Sequence, residues 1–161
     1  MKFTRRNTMK LIGASALMAT PQFALGQSSG TVHEVEMLNR NPETSDRMAF
    51  SPDLLQVNPG DTIRFVAKDR GHNSASDKNM LPAGAKGWSG RIGQDIEVQV
   101  TETGVYGYFC TPHRSVGMVG LILVGDVSAA QLAEAKAVRQ RGKARDRFEG
   151  IFARAEAAIS G

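Results

Sequence analysis

The chain has 161 residues, 41% of them hydrophobic, with 20 Lys and Arg against 16 Asp and Glu. Residues 1–26 carry four of the basic groups and none of the acidic ones, which leaves 16 of each in the remainder. A balanced chain gives no electrostatic case for nucleic-acid binding, and a lone cysteine, Cys110, excludes an internal disulfide.

The first segment, "MKFTRRNTMKLIGASALMATPQFALGQ", opens on Lys2, Arg5, Arg6 and Lys10, continues with a run of small apolar residues, and reaches "ALG" before Gln27. This pattern predicts an export leader over residues 1–26. The paired arginines match a twin-arginine signal, although Thr8 stands where a large apolar residue is usual. The run is interrupted by Pro21 and is too short and too weakly apolar to predict a stable membrane anchor. Residues 27–161 are then expected to form a single domain, of a size that suits one core.

Residues 32–124 read as short strands. "VHEVEML" comes first, with His33 expected at the surface among acidic neighbours. "DTIRFVA" places Ile63, Phe65 and Ala67 on one face, and "DIEVQV" alternates Ile96, Val98 and Val100 with polar residues. "GVYGYF" and "VGLILV" complete the set. Turn residues separate them, among them "NPGD" at 58–61, Gly104 and Gly125. The segment 69–91 is long for a hairpin loop and is expected to be functional or partly helical. Short strands without long intervening helices predict a β-sandwich or barrel. Beyond Val127, Ser128 and Gln131 make a capping-box pattern, with Leu132, Ala135 and Val138 at helical spacing. Gly142 breaks the run, and Phe148, Ile151, Phe152, Ala155 and Ile159 mark a second helix. The pair, over 128–160, is expected to cover one side of the sandwich, with Arg139, Arg141, Arg145 and Arg147 solvated.

The connection "CTPHRSVGMVG" holds Cys110, His113 and Met118. Thiolate and imidazole both bind copper, and thioether selects its softer Cu(I) form. A closed site needs a fourth donor, and His72 in "DRGHNS" lies just past a strand end from which it could reach. Two histidines and a cysteine with a weak axial methionine is the blue-copper electron-transfer arrangement. The residues alone leave other readings open. Zinc accepts the same His and Cys donors, a Cys–His pair can act as a nucleophile, and methionine is often core filler.

The chain resembles the pseudoazurins, type 1 copper proteins of the cupredoxin family. The motifs that carry the likeness are "EMLN", "NPGDTIRF", "DRGHN", "YFCTPHRSVGMVG" and the helical tail. The resemblance implies a mainly β fold, the cupredoxin Greek-key β-sandwich with two C-terminal α-helices. It implies His72, Cys110, His113 and Met118 as ligands of one copper ion cycling between Cu(I) and Cu(II), and no enzymatic activity. It also implies single-electron transfer in the periplasm with redox protein partners such as nitrite reductase and c-type cytochromes. Copper storage or delivery is the alternative. It would want several exchangeable sites rich in methionine and histidine, whereas one compact site is visible. Glu36 and Phe109 stand where the family carries histidine and often lysine, which weakens the usual basic docking surface.

The protein is expected to act as a monomer and to pass electrons through the edge of His113. Arg70, Lys78, Lys86 and Arg114 are expected to ring that edge and steer an acidic partner. Asn73 is expected to tie the two ligand-bearing loops together. Pro112, lacking an N–H, withholds one possible donor from the cysteine sulfur.

Overall fold

The structure, a computed structural model, describes residues 30–160. The export leader expected at 1–26 lies outside the described residues. Eight strands form two sheets: β1 (Val32–Arg40), β2 (Arg47–Ser51), β3 (Leu54–Val57), β4 (Thr62–Val66), β5 (Ala75–Ser76), β6 (Ile96–Gln99), β7 (Gly104–Phe109) and β8 (Val119–Val124). One sheet runs β2-β1-β4-β6 and the other β3-β8-β7-β5. β1 pairs parallel with β4 and β3 parallel with β8, and the remaining pairs are antiparallel. Two helices follow, α1 (Ala129–Ala137) and α2 (Lys143–Ile159). This is the expected sandwich with a helical tail.

The period-2 alternation sets where the candidate metal donors point. In β4, Ile63 and Phe65 are fully buried between the sheets. In β7, Tyr106 and Tyr108 face the same inner core, and continuing that parity places Cys110 there too. The opposite parity, Val105 and Phe109, faces a second apolar cluster beneath the helices. β8 is apolar throughout for the same reason. Ile122 and Val124 belong to the inner core, while Val119, Leu121 and Leu123 meet α1 and α2. Phe148, Ile151 and Phe152 of α2 complete that outer cluster, each contributing about 1.5–3 kcal/mol by burial. Ser128 caps α1 through the complete Ser128–Gln131 box. β7, β8 and the loop between them are thus packed against the inner core on one face and the helices on the other.

Two expectations are corrected here and a third is narrowed. Segment 69–91, expected to be functional or partly helical, contains no helix but carries His72 and Asn73 of the candidate site. It folds as turns around the two-residue strand β5, pinned by Trp88 Nε1 donating to Ser74 Oγ at 2.9 Å and by Trp88 stacking on Phe65. His33 is not simply a surface residue, because its Nε2 lies 2.9 Å from the buried carboxylate of Asp61. Arg147 is half-buried and pairs with Asp46 at 2.8 Å rather than standing free in solvent.

Candidate metal centre

The connection from β7 to β8 is a tight loop closed by its own backbone. Cys110 N donates to Met118 O (2.9 Å), and Met118 N donates to His113 O (3.1 Å). Between them Arg114–Val116 forms a single 3₁₀ turn, ended by Gly117 at φ 96°. That left-handed conformation suits glycine, and a Cβ there would also press on Lys143 O at 3.2 Å. Cys110, His113 and Met118 are therefore held in one place before any metal is considered.

His72 joins them from the end of the β4–β5 connection. Its Nδ1 lies 3.0 Å from His113 Nδ1 and 3.8 Å from Cys110 Sγ, and His113 Nδ1 lies 3.5 Å from the same sulfur. The three donor atoms thus lie within 4 Å of one another, as a shared first-row metal requires. His72, Cys110 and Met118 are completely buried, while His113 is half-buried. Met118 packs in the same core cluster as Cys110.

The surroundings fix which atoms face inward. His72 Nε2 lies 2.9 Å from Asn39 Oδ1, an acceptor, so Nε2 carries the hydrogen and Nδ1 offers a lone pair. Asn39 is held in turn by its backbone N–H, which donates to Asp69 Oδ2 at 2.7 Å. Asn73 ties the two loops as expected. Its Oδ1 accepts from Thr111 N (2.8 Å), while its Nδ2 donates to Thr111 Oγ1 (3.0 Å) and Gly90 O (2.9 Å). Burial pushes the Cys110 thiol up, and the backbone N–H groups of Asn73 and His113 pull it partly back by favouring the thiolate. Burial lowers His72, aided by the neighbouring His113, so its imidazole stays neutral and free to coordinate.

Two features of the site were not legible. Asn39 stood inside the motif "EMLN" without an assigned role. Arg114 was expected on the charged rim, but its guanidinium pairs with the buried carboxylate of Asp77 and lies 4.2 Å from the centre of the Phe109 ring. Asp77 looks like an ordinary polar loop residue in sequence, and no local pattern marks it.

One thiolate, two imidazole nitrogens and a thioether form a soft, compact donor set that suits copper. Among the described residues, no other group of three His, Cys, Asp or Glu side chains could hold a metal ion. No helix among them is long and apolar enough to cross a membrane.

The family model of copper-binding proteins of the plastocyanin/azurin family matches residues 35–125. A pseudoazurin from Paracoccus pantotrophus is 40% identical over 142 residues, covering 87% of this chain and 92% of its own. A pseudoazurin from Methylorubrum extorquens is 37% identical over 143 residues, covering 89% and 94%. The solved structure of a pseudoazurin from Sinorhizobium superposes with a TM-score of 0.74 at 43% identity, covering 79% of this chain and 98% of that one.

Proposed function

The chain belongs to the plastocyanin/azurin family of copper-binding proteins, and we propose that it is a periplasmic one-electron carrier rather than an enzyme. The observation that carries this reading is the convergence of His72 Nδ1, Cys110 Sγ and His113 Nδ1 at 3.0–3.8 Å, with Met118 buried beside them. In this reading those three atoms are the strong copper ligands and Met118 is the weak axial one. Copper, when bound, supplies the Cu(I)/Cu(II) couple.

The protein's own residues keep the site from rearranging. Asn39 holds the His72 tautomer, Asn73 locks one ligand loop to the other, and the β7–β8 loop is closed by backbone hydrogen bonds at both ends. A donor set that does not move lets an electron enter and leave with little reorganisation. His113 is the ligand nearest solvent, and its edge is the proposed port. Nitrite reductase and c-type cytochromes are the proposed partners, residues 1–26 the leader that brings the chain to them, and residues 27–161 a single monomeric domain. A single compact site among the described residues argues against copper storage. Voltammetry tests the reading. Copper-loaded protein should give a reversible one-electron wave that is lost in Cys110→Ser, and absence of any wave in the parent protein would refute it.

A further inference from the structure

Arg114 follows the ligand His113 directly, yet its charge is already used. It donates to Asp77 Oδ2 and, at 2.9 Å, to Gln140 Oε1, while Gln140 Nε2 donates to the same Asp77 oxygen at 3.2 Å. Gln140 belongs to the connection between α1 and α2. The three side chains therefore clasp that connection to the ligand loop. The backbones meet as well, since a Cβ on Gly142 would sit 3.7 Å from Ser115 O.

The clasp has a consequence for charge. Gln140 lies between Arg139 and Arg141, both exposed, and among the described residues neither pairs with a carboxylate. With Thr111, Arg114 and Ser115 they line a cleft of about 470 Å³ beside the ligand loop. On the loop's other flank Arg147 pairs with Asp46 and Arg154 with Asp53, which leaves Lys143 as the one cation there without a carboxylate partner among the described residues. Beside the β2-β1-β4-β6 sheet, Arg64 lies among Glu34, Asp95 and Glu97, and Lys68 pairs with Glu36. Lys86, expected at the rim, borders a different cleft beside Glu97 and Thr101.

We propose that the cleft between the ligand loop and the α1–α2 connection receives a carboxylate side chain from an acidic redox-protein partner, with Arg139 and Arg141 as its charged walls. This rests on the electron-carrier reading above. Guanidinium groups grip a carboxylate through paired, charge-assisted hydrogen bonds, and the Thr111 and Ser115 hydroxyls can donate to the same group. Pro112 and Val116 of the same loop are exposed and supply apolar contact near His113. The clasp holds this charge at a fixed place relative to the electron port.

The test oxidises the Cu(I)-loaded protein with hexacyanoferrate(III), an anion, and with tris(phenanthroline)cobalt(III), a cation. Each takes one electron, so Cu(I) becomes Cu(II) while Fe(III) becomes Fe(II) or Co(III) becomes Co(II). Arg139→Glu with Arg141→Glu should slow the hexacyanoferrate reaction about tenfold at low salt, and the deficit should shrink as salt rises. The cobalt reaction should not slow, and the copper potential should stay put. Lys78→Glu with Lys86→Glu should change the hexacyanoferrate rate less than the arginine pair does. Titration with poly-L-glutamate should shift the amide resonances of Thr111, Ser115 and residues 139–141 in the parent protein and not in the arginine variant. An unchanged hexacyanoferrate rate in that variant would overturn the proposal. So would a larger loss in the lysine pair, or shifts produced by inorganic phosphate but not by poly-L-glutamate. A parent protein that reacts with neither oxidant would instead refute the electron-carrier reading itself.

Discussion

Asn73 and Thr111, 38 residues apart in sequence, are joined in both directions: Thr111 N donates to Asn73 Oδ1 at 2.8 Å, and Asn73 Nδ2 donates to Thr111 Oγ1 at 3.0 Å. The pair flanks His72 on one side and Cys110 on the other, so it couples the two loops that must agree on one metal position. Asn73 is 3% exposed, and its removal leaves Thr111 N–H and Gly90 C=O without their partner. Asn73→Ala should therefore destabilise the metal-free protein by about 2–3 kcal/mol in urea unfolding. Electron self-exchange of the loaded protein should also slow. A variant as stable as its parent would show that the loops are held elsewhere.

Met118 is anchored through its backbone, whose N–H donates to His113 O and whose carbonyl accepts from Cys110 N. Changing its side chain should leave the loop in place. Met118→Gln should keep copper bound and lower the potential, because a harder oxygen donor favours Cu(II). Potentiometry reads this directly. A potential equal to the parent's would show that Met118 is core filler rather than an axial ligand.

Away from the metal, Asp61 gathers the start of the first sheet. Its carboxylate accepts from Thr31 N, Asn58 N and His33 Nε2 at 2.8–3.0 Å. The Asn58 N–H, then the His33 side chain, hold the carboxyl below its usual value of 3.8 despite burial. A depressed folded-state value means that the stabilisation is present above the usual value. It is lost as pH falls through the lower, folded one. Thermal melts from about pH 6 to about pH 3 should show the parent losing stability, while Asp61→Asn is weaker throughout and loses less over that range. Parallel curves for the two proteins would contradict this role.

Much of the architecture was written in local pattern. "GVYGYF" and "VGLILV" coincide with β7 and β8 because their side chains are buried on both faces, and the helices follow from Ser128, Gly142 and the apolar spacing of α2. β2, β3 and β5 carry two to five residues each, too few for alternation to stand out, and they exist through their pairing with β1, β8 and β7. The candidate metal donors were legible because cysteine, histidine and methionine at close spacing are chemically distinctive. Asp77, Arg114 and Gln140 were not, because a charged loop residue has no periodicity. Only the fold brings residue 77 to residues 114 and 140.

The central claim is that Cys110 Sγ, with His72 Nδ1 and His113 Nδ1, binds one copper ion. The absorption spectrum of protein titrated with Cu(II) tests it most directly. One equivalent per chain should produce an intense blue colour that bleaches on reduction and returns on reoxidation, and Cys110→Ser should take up copper without that colour. A parent protein that stays nearly colourless with one bound Cu(II), or a Cys110→Ser variant that is as blue as its parent, would contradict the account.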